Sequence, residues 1–110
     1  MTLEEIILDC LGKVKAKDIL VYNMKERSPF YDHMVLCSVD SERQATAAIS
    51  YLKDEVAKGG FDIRSVEGAN TPWVIVDCYD IVVSIFTKDE REHFALEKIY
   101  MEIPCKKIEE

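Results

Sequence analysis

The N-terminal half of the chain alternates between helical and extended hydrophobic spacing, which predicts two helices and two strands. Thr2 and Glu5 have the capping-box spacing at the start of an apolar stripe, as at the beginning of a first helix. The branched segments 17–24 and 33–39 predict strands, separated by the turn-forming residues 27–29. Ser41 is placed to cap a second helix that ends at Gly59-Gly60. The two helical stripes consist of Leu3, Ile6, Ile7, Cys10, Leu11 and Val14, and of Ala45, Ala48, Ile49, Leu52 and Val56.

The C-terminal half predicts three more strands and a last helix. Segment 61–66 is typical of a short strand, 67–70 of a loop, and 73–77 and 81–86 of two strands in close succession. Thr87 and Glu90 repeat the capping-box spacing before a third helix that runs to about Met101 and ends near Pro104. The order of elements predicts a single α/β domain over residues 1–110, with a mixed sheet of about five strands and three helices.

The predicted hairpin at 73–86 separates a core face from a second face of unusual composition. With a two-residue turn at Cys78-Tyr79, Asp77 lies opposite Asp80, Ile75 opposite Val82, and Trp73 opposite Ser84. Two carboxylates facing each other across strands destabilise a hairpin unless a basic group, from the chain itself or from a partner, lies near them. Cys-Tyr is also a poor sequence for a tight turn, which leaves a wider loop open. The predicted core face consists of Val74, Val76, Ile81, Val83 and Ile85.

The charge of the chain narrows the classes of partner. With 14 basic and 21 acidic residues, the net charge is −7. Such a chain repels phosphate backbones, which disfavours autonomous binding to nucleic acid, and it favours encounter with basic surfaces. A solvated acidic surface that only aids solubility is the alternative reading.

The cysteines and the N-terminus predict a cytosolic protein without a metal site or cofactor. The four cysteines are Cys10, Cys37, Cys78 and Cys105, and they form no CxxC pair. The histidines are far apart in sequence, whereas zinc sites need clustered ligands. Most of the thiols lie in apolar runs, as in a reducing compartment. The first residues are acidic where a targeting peptide has basic residues, and no apolar run has the ~20 residues that span a bilayer.

Catalytic chemistry has weak candidates, and we expect no enzymatic activity. A hydrolase or metal-dependent nucleotidyl-transfer enzyme using Asp77, Asp80 and Arg91 is the alternative, but the chain contains no glycine-rich phosphate loop. A cysteine nucleophile would need the distant His93 beside it. Arg91 near the start of the last helix predicts a salt bridge, with Asp80 or Asp77 as candidate partners. Trp73 is typical either of a core anchor or of an interface hot spot.

A series of short motifs extends in order along most of the chain. They are Lys17-Asp18-Ile19, Asp32-His33-Met34-Val35, Ser41-Glu42-Arg43-Gln44, Glu67-Gly68, Trp73-Val74-Ile75-Val76-Asp77, Asp80, Val82-Val83-Ser84-Ile85-Phe86, Arg91, Leu96-Glu97 and Tyr100. Over about residues 2 to 103, these motifs resemble the Iojap family, also called ribosome silencing factors. The family's histidine in VVHIF is Ser84 here, its turn glycine is Tyr79, and its last tryptophan is Tyr100.

The resemblance implies a nucleotidyltransferase-like fold without catalytic residues, and a binding function. The implied partner is the large ribosomal subunit, through its basic ribosomal protein with universal number fourteen, at the face that meets the small subunit. Docking there implies a block of subunit joining and translation repression. Because related proteins accompany large-subunit maturation and can self-associate, the resemblance also implies a role in maturation and the ability to form a homodimer. A plain dimeric scaffold that pairs through the Trp73 face is a third reading.

Two sets of residues follow from these patterns. The expected partner-facing patch is an apolar centre rimmed by charged groups, and it consists of Glu67, Trp73, Ile75, Asp77, Asp80, Phe86 and Arg91. The expected core includes Leu3, Ile7, Leu11, Val35, Ile49, Leu52, Val74, Val76, Val83 and Ile85.

Overall fold

A six-stranded mixed sheet organises the computed structural model, which describes residues 1–108. The elements are α1 (Leu3–Lys13), β1 (Lys17–Asn23), β2 (His33–Val39), α2 (Glu42–Lys58), β3 (Ser65–Glu67), β4 (Trp73–Asp77), β5 (Ile81–Thr87), α3 (Lys88–Phe94), α4 (Leu96–Ile99) and β6 (Cys105–Lys107). The strands lie in the order β3-β4-β5-β2-β1-β6, and the central pair β2–β5 is parallel whereas the other neighbours are antiparallel. The α/β class and the mixed sheet are confirmed.

The first two helices begin where the sequence predicts. The Thr2 hydroxyl accepts a hydrogen bond from the Glu5 N–H at 3.2 Å, and the Glu5 carboxylate accepts one from the Thr2 N–H at 2.8 Å. The Ser41 hydroxyl accepts from the Gln44 N–H at 3.2 Å, which satisfies an amide that has no partner inside the helix. After Gly59, Gly60 adopts the left-handed conformation with φ of 86°, so α2 ends as predicted.

The main core lies between one face of the sheet and the helices α1 and α2. All ten residues predicted for the core are buried, and Val74, Val76, Val83 and Ile85 are at most 1% exposed. The alternation along β4 and β5 therefore identified the correct core face. No helix within residues 1–108 is long and apolar enough to cross a membrane.

The second face of the sheet is covered over only part of its width. A smaller apolar cluster lies on β1, β2 and β5, and the C-terminal residues 88–104, named here the covering segment, pack Leu96, Tyr100 and Ile103 against it. The cluster consists of Tyr22, Met24, Met34, Leu36 and Phe86. Because this segment lies over the centre of the sheet, the second face of β3 and β4 lies outside it except at Trp73, which Phe94 contacts.

Three predictions about the C-terminal part were wrong. The third helix does not run to Met101, because Ala95 adopts the left-handed conformation (φ of 47°, ψ of 49°) and separates α3 from α4. This turn carries the chain back over the sheet, so burial of Leu96 and Tyr100 prevails over helical continuity. Thr87 precedes α3 but its side chain makes no capping hydrogen bond. The sequence also missed β6, a three-residue strand that pairs with β1 after Pro104.

The hairpin pairing differs from the prediction by two residues. Asp77 lies opposite Val82, Ile75 opposite Ser84, and Trp73 opposite Phe86. The connection between β4 and β5 therefore contains three residues, 78–80, and the Cys78 N–H donates a hydrogen bond to the carbonyl of Ile81, the first residue of β5, at 2.9 Å. A shift of two residues keeps every side chain on its predicted face. The predicted core residues are therefore buried although the predicted strand pairing was wrong.

Candidate partner-binding face

The uncovered part of the second sheet face, named here the open face, consists of Glu67, Trp73, Ile75, Asp77 and Val82. Trp73, Ile75 and Asp77 alternate along β4 with buried valines, so they point away from the core. Glu67 lies opposite Ile75, and Val82 opposite Asp77, so these residues share the same face. Glu67 is exposed and the other four are half-buried. The predicted patch residues of β3 and β4 are therefore brought together.

Trp73 lies at one end of the open face, in an aromatic cluster. Its ring stacks on Phe86 with centroids 4.8 Å apart and an interplanar angle of 21°, and it contacts Phe94 of α3 at 4.8 Å. Phe86 is 0% exposed, so it lies under the indole and is not itself part of the accessible surface. The Trp73 Nε1 atom is buried and has no hydrogen-bond partner within residues 1–108. Such an orphan donor is uncommon in folded proteins.

Asp77 at the other end of the open face is bound by residues of its own chain. Its Oδ2 atom accepts hydrogen bonds from Arg64 Nη2 at 2.6 Å and Nε at 3.1 Å, and its Oδ1 atom accepts one from the Tyr79 N–H at 2.9 Å. The Arg64 guanidinium also lies 5.4 Å from the centroid of the Tyr79 ring. Arg64 therefore supplies the basic group that the sequence required near this carboxylate.

Asp80 does not face Asp77 across the strands. It lies exposed in the hairpin loop, beyond the end of β4. Its backbone carbonyl accepts hydrogen bonds from the N–H groups of Asp32 and His33 at 2.7 and 3.2 Å, which fixes the loop against the start of β2. The predicted pairing of two facing carboxylates is wrong, because the register is shifted by two residues and places Val82 opposite Asp77.

Arg91 is an internal residue, and its predicted salt bridge with Asp77 or Asp80 is wrong. It is 8% exposed. Its Nη1 atom donates to the Asp18 carbonyl at 2.7 Å and to the Ser38 hydroxyl at 2.8 Å, and its Nε atom donates to Glu97 Oε2 at 3.3 Å. The arginine, which belongs to the covering segment, thus binds β1, β2 and α4 and does not border the open face.

Several residues beside this face were not singled out from the sequence. Phe94 is 42% exposed and contacts Trp73 from above. Ile99 and Met101 in the covering segment are 70% and 80% exposed, and Arg64 was not recognised as the partner of Asp77. Two neighbouring aspartates in the hairpin predicted a basic group near them. That prediction did not distinguish Arg64 from Arg91. No periodic pattern distinguishes Phe94 from a core residue.

The thiols lack the environment of a nucleophile. Cys10, Cys37 and Cys78 are buried. Burial raises the pKa of Cys37 to about 12 and that of Cys78 to about 11, whereas catalytic cysteines have lowered values. Within residues 1–108, no group of three or more His, Cys, Asp or Glu residues is arranged to hold a metal ion.

Comparison with known proteins identifies the family. The family model described as "Ribosomal silencing factor during starvation" matches residues 2–110. The chain belongs to the ribosomal silencing factor family. A ribosomal silencing factor of Haemophilus influenzae is 35% identical over 101 residues, which cover 91% of this chain and 99% of that protein. One from Bacillus subtilis is 35% identical over 91 residues, covering 82% and 77% of the two chains. The resemblance seen in the sequence is therefore confirmed.

Solved structures agree with the fold. A crystal structure of a Chromobacterium violaceum protein superimposes with a TM-score of 0.85 at 25% identity, covering 90% of this chain and 83% of that one. A crystal structure from Bacillus halodurans gives a TM-score of 0.83 at 32% identity, covering 96% of this chain and 97% of that one.

The backbone at Tyr79 explains why the family pattern has a glycine at this position. Tyr79 has a φ of 69°, a left-handed conformation that glycine adopts without strain.

Proposed function

We propose that this ribosomal silencing factor docks on the large ribosomal subunit through the open face, on the basic ribosomal protein with universal number fourteen. Docking there blocks joining of the small subunit and represses translation in the cytoplasm, with a further role in large-subunit maturation. In this proposal Glu67, Trp73, Ile75, Asp77 and Asp80 contact the partner. Phe86 supports the Trp73 indole from below, and Arg91 is an internal residue of the covering segment, in place of the direct contacts expected from the sequence.

The observation that carries the proposal is the position of Trp73, a half-buried tryptophan at the end of the open face. Its indole is half-buried at the end of an uncovered sheet face, and its N–H has no acceptor within residues 1–108. Tryptophan is strongly enriched among interface hot spots, and the accessible part of this half-buried indole offers a partner an aromatic contact at the end of the face. The half-buried aliphatic neighbour Ile75 provides the apolar centre of such an interface.

Charge favours a basic partner. The chain carries a net charge of −7, and the carboxylates of Glu67 and Asp80 are exposed beside the apolar centre. Opposite charge on the partner accelerates encounter and orients the two surfaces. Asp77 contributes less, since Arg64 neutralises it at 2.6 Å.

The same geometry argues against the alternative of metal-dependent catalysis. Two-metal nucleotidyl transfer needs carboxylate oxygens that are free to bind cations. Both oxygens of Asp77 already accept hydrogen bonds, from Arg64 and from the Tyr79 amide. We therefore propose a binding function without catalysis, and self-association as a dimer is compatible with the same face.

Sedimentation with purified ribosomal subunits on sucrose gradients tests the proposal. The protein should migrate with large subunits and reduce the fraction that joins small subunits. Truncating a hot-spot tryptophan typically costs ~2–4 kcal/mol, so Trp73→Ala should weaken docking roughly 30- to 1000-fold. Tyr51→Ala is the matched control, since Tyr51 is an exposed aromatic residue on α2, in the helical layer on the opposite side of the sheet. Circular dichroism and melting establish that each variant is folded.

A pair of charge reversals tests the electrostatic part. Asp80→Lys should slow association with large subunits more than it speeds dissociation, whereas Asp54→Lys on α2 should leave both rates unchanged. Asp54 is exposed on the opposite layer of the molecule, so the two variants change the net charge equally. If folded Trp73→Ala and Asp80→Lys proteins still dock and still block joining, the open face is not the docking surface.

A further inference from the structure

The covering segment has little intrinsic helical stability. Its helices α3 and α4 contain seven and four residues and are separated by the left-handed Ala95. Helices shorter than ~12 residues are marginal in isolation, so packing and side-chain bonds must determine the position of this segment. Its contacts with the rest of the chain therefore decide which part of the second sheet face is covered.

Arg91 connects the covering segment to the sheet through hydrogen bonds to three partners in three different elements. One guanidinium binds the Asp18 carbonyl at the start of β1, the Ser38 hydroxyl near the end of β2, and the Glu97 carboxylate on α4. It therefore joins two strands of the sheet to both short helices, across the interruption at Ala95. Hydrogen bonds from a charged donor are stronger than neutral ones, particularly when the donor is shielded from water.

Phe94, on the same short helix as Arg91, transmits this restraint to the open face. Its ring centroid lies 4.8 Å from that of Trp73 and 6.1 Å from that of Phe86. Displacement of α3 would remove Phe94 from the indole, and of the two aromatic contacts described for Trp73 only the one with Phe86 would remain. Within residues 1–108, Arg91 makes no hydrogen bond or salt bridge with a residue of the open face, so its effect on that face passes through Phe94.

We propose that Arg91 is a positioning residue that holds Phe94 against Trp73 and thereby fixes the indole in its docking orientation. Its consequence for ribosome docking rests on the function proposed above, but its effect on the indole does not. Loss of the Arg91 bonds should make Trp73 more mobile and more accessible to water while the main core, on the other side of the sheet, stays folded.

The fluorescence of Trp73 tests the inference directly, because it is the only tryptophan of the chain. Arg91→Lys retains a cation but cannot donate simultaneously to all three partners. In this variant, acrylamide quenching of the indole should increase about two-fold and the emission should shift to longer wavelength, measured where circular dichroism shows the protein fully folded. Glu97→Ala, which removes only the bond to α4, should have a smaller effect of the same sign. Lys88→Ala is the control on the same helix, since Lys88 is exposed and pairs with Asp40 at 3.4 Å.

A double-mutant cycle with Phe94→Ala distinguishes positioning from general stability. If Arg91 acts through Phe94, then Arg91→Lys should change quenching strongly in the wild-type background and hardly at all in the Phe94→Ala background. Docking on large subunits should show the same non-additivity, mainly in the dissociation rate. Unchanged quenching in folded Arg91→Lys, or fully additive effects in the cycle, would overturn the inference. Failure of the unmodified protein to bind large subunits would overturn the proposed function alone, because the quenching measurements need no ribosome.

Discussion

Replacement of Ala95 by glycine should stabilise the protein, because the structure places an alanine where the backbone is left-handed. Ala95 has a φ of 47° and a ψ of 49°. This conformation costs an L-residue about 1–2 kcal/mol, whereas glycine adopts it freely. Glycine also has more freedom in the unfolded chain, which offsets roughly 0.5–1 kcal/mol of that gain. We therefore expect Ala95→Gly to increase the free energy of unfolding by about 0.5–1 kcal/mol.

The same substitution inside a helix provides the matched control. Ala47 is exposed in the interior of α2, where its side chain makes few contacts. There, glycine loses the helix propensity of alanine, so Ala47→Gly should destabilise the protein by about 1 kcal/mol. The chemical change and its effect on the unfolded chain are equal at the two sites. The difference between the two variants therefore isolates the native backbone conformation.

Urea unfolding, followed by circular dichroism, measures both free energies on one scale. In thermal melting, a change of 1 kcal/mol corresponds to roughly 4 °C for a domain of this size. Ala95→Gly should thus melt about 2–4 °C above the unmodified protein and Ala47→Gly about 4 °C below it. Equal destabilisation by both substitutions would show that the break between α3 and α4 does not store backbone strain, and the reasoning would be wrong.

Two further predictions concern helix capping and alkaline pH. Ser41→Ala should cost about 1 kcal/mol in urea unfolding because the cap of α2 is lost, whereas Thr87→Ala should cost close to nothing, since that side chain makes no capping bond; equal losses would contradict the observed caps. Burial raises the pKa of Cys37 to about 12 and that of Cys78 to about 11, compared with 9.0 for an ordinary thiol. Between pH 9 and about 11, these thiols therefore ionise in the unfolded chain and stay protonated in the folded protein. Stability should therefore fall as pH rises from 9 to about 11, by up to ~1.4 kcal/mol per pH unit for each thiol, and urea titrations of Cys37→Ala should show the smaller slope.

The parts of the fold that could be predicted are those determined by local periodicity. The capping box at Thr2 and the alternation along β4 were read correctly because helical and strand spacing are properties of neighbouring residues. The prediction of which residues share a face was correct although the predicted hairpin pairing was wrong. A shift of two residues leaves Val76 in the core and Ile75 on the opposite face, whereas a shift of one would have exchanged them.

The parts that failed depend on contacts between distant segments. Arg91 binds groups at positions 18 and 38, and no local pattern indicates a partner so far away in sequence. The break at Ala95 occurs in a sequence that suits a helix, because Leu96 must turn back to reach the cluster on the second face. The short strand β6 has no apolar alternation of its own and exists through pairing with β1. In the candidate site, the alternation along β4 predicted which residues share one face, whereas the contacts of Phe94 and Arg64 required the tertiary structure.

The departure at Tyr79 bears on which charges the open face offers to a partner. Tyr79 keeps the left-handed conformation of a glycine, with a φ of 69°, at a cost of about 1–2 kcal/mol. Its ring lies beside the Arg64 guanidinium, and an exposed cation–π contact of this kind returns roughly 0.5–1 kcal/mol. This contact holds Arg64 on Asp77, so that carboxylate is neutralised before any partner arrives. The negative charge that a basic surface would meet here is therefore that of Glu67 and Asp80, which lie on either side of the neutral pair.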